Sequence, residues 1–443
     1  MVFSSLVFLC AFLPVVLALY IICPKKYKNF WLMISSLFFY AWGEPKYIFI
    51  MIFSTVFDYA NGRLLEYFDE QKFEKEKQDK FRKIVLAVSV VGNLGILFVF
   101  KYFDLLLSSW NQLTGSNIGL FHLALPIGIS FYTFQTMSYT IDVYRRTVKA
   151  QHDFISFAMY VSMFPQLIAG PIVRYKWVEK QMVGRSVTVE AWTAGMQRFL
   201  IGLAKKVLLA NQVGFLWDDI AASTPNELSI AGAWLGAFAY TFQIYFDFSG
   251  YSDMAIGLGK MFGFSFAENL MHPYESKSIT EFWRRWHISL SGWFKDYVYI
   301  TLGGNRKGRA RQILNMFIVW FLTGFWHGAS WNFVLWGLYY FAILLVEKLV
   351  LRKEMECWPD FLRHVYTKFI IVTGWMLFAN ENFGKMGIYL KTMFGIRGDF
   401  LNDTAIYQWR THFFFFVILF LASTTLPQRL WKKFKERIWG DRD

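Results

Sequence analysis

The amino-acid sequence predicts an all-α polytopic membrane protein. Of its 443 residues, 55% are hydrophobic and only 18% are charged, which is a more apolar balance than soluble domains show. The apolar residues also fall in long blocks, and residues 2–22 and 84–100 hold almost no charge over roughly the length that crosses hydrocarbon. Because residues 2–22 lack a basic n-region and a small-residue cleavage site, we expect them to form a retained transmembrane helix.

Together with further apolar blocks, these two predict about a dozen helical crossings or partial crossings. In chain order the blocks are residues 2–22, 30–57 with a break at 42–45, 84–100, 118–134, 154–169, 196–216, 230–248, 313–326, 331–349, 369–378 and 413–426. No internal repeat of fixed period is visible. We therefore expect a single membrane-embedded domain over residues 1–443.

The basic residues predict topology. The net charge is +14, but Lys and Arg lie mostly in short segments between apolar blocks, as the positive-inside rule describes, so nucleic-acid binding is not expected. These segments are residues 24–28, 72–83, 145–149, 174–180, 260–311, 352–368 and 429–443. Assigning all of them to the cytoplasm places the first residue outside and the C-terminus inside.

The three cysteines show no spacing typical of a metal site or a disulfide framework.

Residues 260–311 form a connector that is too long for a simple loop. Apolar side chains recur there at three- and four-residue steps, at Trp283, Trp286, Leu290, Trp293 and Tyr297. The opposite face carries Arg284, Arg285, Ser289 and Asp296. This pattern predicts one amphipathic helix that lies in the membrane interface or re-enters the membrane. A peripheral anchor helix without chemistry is the alternative.

Histidine is the side chain best suited to general base chemistry near neutral pH. Five of the seven histidines lie at segment ends or in polar loops, where an imidazole needs no special explanation: His122, His152, His272, His364 and His412. The two that remain are His287, on the predicted amphipathic helix, and His327.

His327 lies inside an otherwise apolar span, within the run LTGFWHGASWN. An ionisable group at membrane depth marks a functional site by default, although a neighbouring helix can also satisfy such an imidazole. The small residues Gly324, Gly328 and Ala329 would let a ligand or another backbone approach closely. If Arg311 is cytoplasmic, a continuous helix carries His327 roughly 24 Å into a core about 30 Å thick, beyond the midplane.

Four runs of sequence resemble the membrane-bound O-acyltransferase family, and most of all its bacterial alginate O-acetyltransferase branch. They are QLIAGPIVRY from Gln166, QIYFDFSGYSDMAIGLGKMFGF from Gln243, ITEFWRRWHISLSGWFKDYVYITLGGNRKG from Ile279 and FLTGFWHGASWNFVLWG from Phe321. The motif-bearing core therefore covers residues 165–337. No G-x-S-x-G elbow, Walker A loop or H-E-x-x-H motif is present, and Gly257, Gly259 and Gly263 do not have the spacing of a dinucleotide-binding fingerprint. Hydrolase, ATPase and dehydrogenase functions therefore lose support.

This resemblance implies a ring of transmembrane and re-entrant helices around a thinned centre with a tunnel. It implies that His327 is the catalytic base, with His287 at a second, partly variable polar position. Arg284, Arg285, Asn305 and Arg306 are candidate cofactor-binding residues, for a donor that we expect to be acetyl-CoA, used as a substrate and not held permanently. No metal site is expected.

The resemblance also implies a function in the bacterial inner membrane. We expect an acetyl group to move from a cytoplasmic thioester toward an exported polysaccharide, with a separate extracytoplasmic acetyltransferase as partner. D-alanyl transfer to teichoic acid, with a carrier protein, is the nearest enzymatic alternative. A proton-coupled transporter is the alternative from another class, since intramembrane histidines also describe such carriers.

Overall fold

The computed structural model describes residues 1–168, 170–224 and 226–439, and every regular element in these ranges is helical. The predicted all-α class is therefore confirmed. The chain forms two compact units, the first of Met1–Leu203 with Tyr251–Glu268 and the second of Ala204–Gly250 with Asn269–Asp443. A single domain, a ring of helices and a tunnel stay predictions.

The first ten helices begin in the first unit. They are α1 (Leu13–Ile22), α2 (Lys28–Gly43), α3 (Ile48–Glu70), α4 (Lys75–Lys101), α5 (Phe103–Thr114), α6 (Ile129–Tyr144), α7 (Phe154–Ser162), α8 (Phe164–Leu167), α9 (Tyr175–Gly184) and α10 (Val189–Ala204). π-Helical turns at Phe8–Phe12 and Lys205–Ala210 extend α1 and α10, and a short 3₁₀ turn, Lys25–Tyr27, precedes α2.

The remaining helices begin in the second unit, and α12 ends in the first. They are α11 (Asn211–Ala222), α12 (Ile230–Met261), α13 (Ile279–Arg285), α14 (Ile288–Phe294), α15 (Arg309–His327), α16 (Trp331–Val346), α17 (Arg352–Cys357), α18 (Asp360–Ala379), α19 (Phe383–Met393), α20 (Asp403–Ala422) and α21 (Leu426–Trp439). The 3₁₀ turn Pro273–Glu275 precedes α13, and π-helical turns follow α14 at Lys295–Tyr299 and α16 at Glu347–Leu351.

Five helical stretches within the described ranges are long and apolar enough to cross a membrane. They are Ile48–Glu70, Lys75–Lys101, Val189–Ala222, Trp331–Leu351 and Asp403–Ala422, and a shorter apolar helix covers Phe8–Ile22. These elements support a multi-pass protein. The break predicted at residues 42–45 is also confirmed, because α2 ends at Gly43 and α3 begins at Ile48.

One predicted crossing, residues 118–134, is wrong. Residues 115–126 are irregular, and α6 begins only after Gly128, whose φ of 75° is left-handed backbone that favours glycine. The Asp104 carboxylate accepts the backbone N–H groups of Phe121 at 2.9 Å and His122 at 2.8 Å. Because this carboxylate satisfies the two amides, the segment needs no helix there.

A second predicted crossing, residues 154–169, is divided into α7 and α8, and its last residue, Ala169, lies outside the described residues. The division falls at Met163, one residue before α8 begins, and Pro165 brings no backbone N–H to a continuous helix. The backbone N–H of Phe164 instead donates to Ser36 Oγ at 3.1 Å. A side chain of α2 thus takes the place of a helical hydrogen bond.

In the first unit, a buried carboxyl group joins α3, α4 and α6. Asp58 Oδ1 accepts from Ser89 Oγ at 2.6 Å and from Thr140 Oγ1 at 3.1 Å, and Oδ2 accepts from Asn93 Nδ2 at 2.7 Å. Asp58 and Thr140 are fully buried. Since hydrocarbon offers no competing water, these bonds hold three helices together from a single side chain.

The core of the second unit is built from aromatic side chains of α12, α13, α16 and α18. Trp336 and Trp375 are almost completely buried, and their ring centroids lie 6.1 Å apart. Trp283 meets Trp336 edge to face at 5.5 Å, and Trp286 lies 4.9 Å from Trp375. This aromatic core encloses the end of α15, where His327 lies.

Candidate active site

His327 is the last residue of α15. The chain then runs through Gly328 in an extended conformation, and α16 begins at Trp331 after Ser330. The imidazole therefore lies at the end of α15, where the chain reverses direction before the antiparallel helix α16. The end of the predicted apolar block 313–326 and the start of the block 331–349 each lie within one residue of the observed end of α15 and start of α16.

Glycines bring α15 and α16 into close contact beneath His327. A Cβ added at Gly324 would overlap the carbonyl oxygen of Phe333, and one added at Gly337 would overlap the carbonyl oxygen of Trp320. A Cβ at Gly328 would overlap the Phe333 ring. Of the two explanations for the small residues, the structure supports the close approach of another backbone.

Three aromatic rings surround the half-buried His327 imidazole. Its centroid lies 5.0 Å from Trp326, 5.0 Å from Trp336 and 5.2 Å from Phe378, with interplanar angles of 76°, 82° and 83°. Edge-to-face packing of this kind fixes the ring plane. The arrangement leaves part of the imidazole open while apolar surface covers its flanks.

Asn332 supports this frame from the first turn of α16. Its Nδ2 donates to the carbonyl oxygens of Leu377 at 3.2 Å and Phe378 at 3.0 Å, near the end of α18. The side chain is fully buried. Because the last carbonyls of a helix have no partner within the helix, Asn332 satisfies two of them and holds Phe378 against His327.

His287 lies between two short helices, so the single amphipathic helix predicted for residues 283–297 is wrong. Its φ is 46°, in the left-handed region, and α13 ends at Arg285 while α14 begins at Ile288. The backbone N–H of Ile288 donates to the Asn269 carbonyl at 3.0 Å in place of a helical partner. Asn269 thus competes with the helix for this amide.

The apolar face of the predicted helix is buried nonetheless. The five residues that define it are all at most 9% exposed: Trp283, Trp286, Leu290, Trp293 and Tyr297. Ser289, predicted on the polar face, is also buried. The break at His287 turns the chain, and both helices then direct their bulky side chains into the core.

The His287 ring is held by Asn269. His287 Nδ1 donates to Asn269 Oδ1 at 3.2 Å, and the same oxygen accepts from Ser289 Oγ at 2.8 Å and from Ser289 N at 3.3 Å. Two other donors at this oxygen identify it as the acceptor end of the amide. The neutral tautomer of His287 therefore carries its proton on Nδ1, which leaves Nε2 as an acceptor.

The two predicted histidines contact the same side chain. The Trp326 indole lies 6.0 Å from the His287 ring and 5.0 Å from the His327 ring, and Phe248 covers His287 at 4.8 Å. Only 4% of His287 is exposed, so its ring is enclosed by other side chains of the protein. The structure brings both histidines to one aromatic cluster, with His327 the more accessible of them.

Burial lowers the pKa of His287 to about 3, which predicts a pH-dependent stability. The unfolded chain binds a proton near pH 6.5 and the folded chain does not, so stability rises with pH across the window from about 3 to 6.5. At pH 5 we expect the free energy of unfolding to be about 2 kcal/mol lower than at pH 8 on account of this group. Denaturant unfolding of His287→Gln at the two pH values should show a correspondingly smaller difference than wild type. An unchanged difference in His287→Gln would contradict the burial of this imidazole.

The candidate donor-binding residues do not form one cluster. Arg284 is exposed and lines a cavity of about 570 Å³, together with Lys348, Arg363 and Glu356. Arg285 pairs with Glu281 at 2.6 Å. Asn305 and Arg306 lie exposed on the turn that follows Tyr299. Of the four, only Arg284 lines this cavity.

Glu347 is a buried acid that the sequence analysis did not single out. Its carboxylate accepts the backbone N–H of Ile279 at 2.7 Å and, at Thr280, the N–H at 2.8 Å and Oγ1 at 2.7 Å. It therefore caps α13 and faces the cavity that Arg284 lines. A carboxylate in the π-helical turn that follows α16 thereby fixes the helix that leads to His287.

Sequence reasoning also missed Asn269, Trp336 and Phe378. Asn269 follows a charged residue in an irregular segment, and nothing in its local sequence signals a hydrogen bond to His287. Trp336 lies in the run from Phe321 that resembles the acyltransferases, and this resemblance could have indicated that it belongs to the site. Phe378 lies in a plain apolar block, and only tertiary packing reveals its contact with His327.

A family model described as MBOAT, membrane-bound O-acyltransferase family, matches residues 87–388, well over half of the chain. The chain is 43% identical to the probable alginate O-acetylase of Pseudomonas aeruginosa over 86% of its own length and 72% of that protein. It is 34% identical to the peptidoglycan O-acetyltransferase of Helicobacter pylori, with coverage of 90% and 80%. The teichoic acid D-alanyltransferase of Bacillus subtilis is 27% identical, with coverage of 58% and 69%.

Proposed function

Because the chain belongs to the membrane-bound O-acyltransferase family, we propose that this acyltransferase moves an acetyl group across the membrane. The donor in this proposal is a cytoplasmic thioester, acetyl-CoA, and the final acceptor is an exported polysaccharide. The relatives named for alginate and for peptidoglycan support a polysaccharide acceptor. They are also more similar to this chain than the D-alanyltransferase is, which favours acetyl transfer over D-alanyl transfer. Family membership supports acyl transfer over transport.

The half-exposed imidazole of His327, enclosed by three aromatic rings, is the observation that carries the proposal. A general base must reach the proton that it removes, and His327 is the more accessible of the two histidines at this cluster. Apolar flanks reduce competition from water for the acyl group. His287 is buried and held by Asn269, and it is suited to position the Trp326 ring that packs against His327.

The proposed chemistry follows the ordinary course of acyl transfer. The acceptor hydroxyl loses its proton to the neutral His327 imidazole as its oxygen attacks the thioester carbonyl. The tetrahedral intermediate then collapses, the carbon–sulfur bond breaks, and the thiolate leaves. The imidazolium returns the proton to that sulfur, so that an ester and a free thiol are formed and the base is regenerated.

The cavity beside Arg284 is the place we propose for the phosphates of the donor. Its lining combines three cations, Arg284, Lys348 and Arg363, with two carboxylates, and one of these, Glu347, already accepts three hydrogen bonds. Guanidinium groups are well suited to phosphate. Trp283, the neighbour of Arg284, packs against Trp336, which packs against His327. The buried Nε1 atoms of Trp283 and Trp336 make no hydrogen bond within the described part of the chain, and they offer donors to a polar substrate group.

The proposal includes a separate extracytoplasmic acetyltransferase that receives the acetyl group. In the predicted topology the donor arrives from the cytoplasm, while His327 lies toward the outer face, so the acceptor hydroxyl arrives from the other side. The bulky donor then never crosses the bilayer. We infer that this chain alone hydrolyses or slowly turns over the donor, and that polymer acetylation needs the partner.

Reconstituted liposomes test this proposal. With purified protein in the bilayer, acetyl-CoA inside and alginate outside, we expect free thiol to accumulate slowly inside and acetyl ester on the polymer to stay near background. His327→Ala should abolish the thiol release, and wild-type protein without any ion gradient should retain it.

Two outcomes would overturn parts of the proposal. Efficient polymer acetylation by this chain alone would show that no relay partner is needed. No thiol release from acetyl-CoA, together with release from a D-alanyl thioester of a carrier protein, would instead establish the D-alanyl alternative.

A further inference from the structure

The second unit contains a further cavity, distinct in its lining from the one beside Arg284. Its volume is about 560 Å³, within the range of small-molecule sites. Side chains of α12, α18 and α20 form its walls, and most of them are aromatic or aliphatic: Phe238, Phe242, Ile371, Val372, Trp409, Phe416 and Phe420. None of the residues assigned above to acyl transfer lines it.

One end of this cavity is polar. Lys368, His364 and Glu275 lie there, together with Ser423 and Thr424 at the end of α20. The Lys368 ammonium lies 5.9 Å from the Phe420 ring centroid and forms no salt bridge within the described ranges of the chain. The cavity is therefore amphiphilic, with an apolar body and a cation at one end.

Glu275 is the only carboxylate among the lining residues, and it is already occupied. Its Oε1 accepts from Thr425 N at 2.8 Å and from Thr425 Oγ1 at 2.9 Å. Thr425 in turn accepts the backbone N–H of Arg429 at 3.1 Å. This contact fixes the start of α21 beside the polar end of the cavity.

The helix α21 is basic and amphipathic. Its sequence contains five basic residues and one acidic residue. Leu430, Trp431 and Phe434 are 57%, 68% and 55% exposed, and the Trp431 and Phe434 rings stack at 5.9 Å. A helix with an exposed apolar face beside many cations is typical of one that lies on an anionic membrane surface.

We propose that the cavity binds one anionic phospholipid, with an acyl chain between α12, α18 and α20 and the phosphate at Lys368, where α21 begins. The apolar body matches an acyl chain in chemistry, and the cationic end matches a phosphate in charge. The same leaflet then holds the exposed apolar face of α21. The site thereby anchors the C-terminal helix to the bilayer surface.

Native mass spectrometry of the full chain tests the proposal, with phosphatidylglycerol and phosphatidylcholine as probes in detergent. We expect one phosphatidylglycerol to bind per chain, in preference to phosphatidylcholine. Lys368→Ala should weaken phosphatidylglycerol binding about fivefold, as removal of one interfacial cation does. Lys391→Ala, on the exposed surface of α19, is the matched control and should bind as wild type does.

Filling the apolar body should abolish binding without touching the cation. Val372→Trp occupies the acyl-chain space, and Val372→Phe is the milder variant if the first does not fold. Equal affinity for both lipids, or binding unchanged in Lys368→Ala, would overturn the phosphate assignment. Binding unchanged in folded Val372→Trp would overturn the cavity as the site. If palmitate bound with the same affinity as phosphatidylglycerol, the occupant of the cavity would be a fatty acid and not a phospholipid.

Discussion

Replacing His327 with alanine is expected to lower acetyl transfer by a factor of about 10²–10⁴, the usual contribution of general acid–base catalysis. No other histidine contacts the Trp336 and Phe378 rings that frame this position in the described structure. The truncation should leave insertion and the melting temperature nearly unchanged, because the side chain is only half-buried. Thiol release from acetyl-CoA in proteoliposomes measures the effect.

The matched control for this variant is His412→Ala. His412 Nδ1 lies 2.9 Å from the Gln408 carbonyl oxygen on α20, and it contacts none of the aromatic residues around His327. We expect wild-type activity from it. Retention of more than a few per cent of the wild-type rate in folded His327→Ala would remove His327 from the role of base.

Gly337→Ala is expected to have the second large effect, on both stability and activity. The new Cβ would overlap the Trp320 carbonyl oxygen, which is backbone and can move away only if α15 and α16 separate. Overpacking of this kind costs about 1–3 kcal/mol. Because α15 carries His327 and α16 carries Trp336, we also expect activity to fall more than about tenfold through lost positioning.

Gly387→Ala provides the control for that substitution. It also replaces a helical glycine of the second unit, but nothing lies within 4 Å of the added Cβ. Its melting temperature should rise slightly, since alanine favours a helix over glycine by roughly 1 kcal/mol. Equal melting temperatures and equal rates for Gly337→Ala and wild type would contradict the close packing of α15 against α16.

Hydropathy predicted the fold class because a helix that crosses hydrocarbon needs a long run of apolar residues. The helices α3, α4 and α16 were predicted from such runs. Hydropathy failed where local polar contacts decide the backbone. The Asp104 carboxylate removes any need for helix near Phe121, and the Asn269 carbonyl ends α13 before His287. Both acceptors lie far along the chain from the amides that they bind, so no local period could reveal them.

The candidate site was predictable in its centre and not in its surroundings. His327 stands out in the sequence as an ionisable residue in an apolar block, and the resemblance to acyltransferases supports it as the base. Its partners Trp336 and Phe378 come from α16 and α18, and Asn332 orients Phe378 through the end of a helix. Such a frame depends on how helices pack, and the burial of His287 became evident only from that packing.

The Asp58 cluster has a consequence for biogenesis. As the chain is synthesised, α3 emerges before either of its polar partners, and a lone carboxyl group in hydrocarbon is costly. Ser89 and Asn93 follow on the next helix, whereas Thr140 belongs to α6 and arrives much later. We therefore expect α3 and α4 to leave the translocon together as a hairpin, with Asp58 already paired inside it. Thr140 on α6 then adds its hydrogen bond to a carboxyl group that this hairpin has already paired.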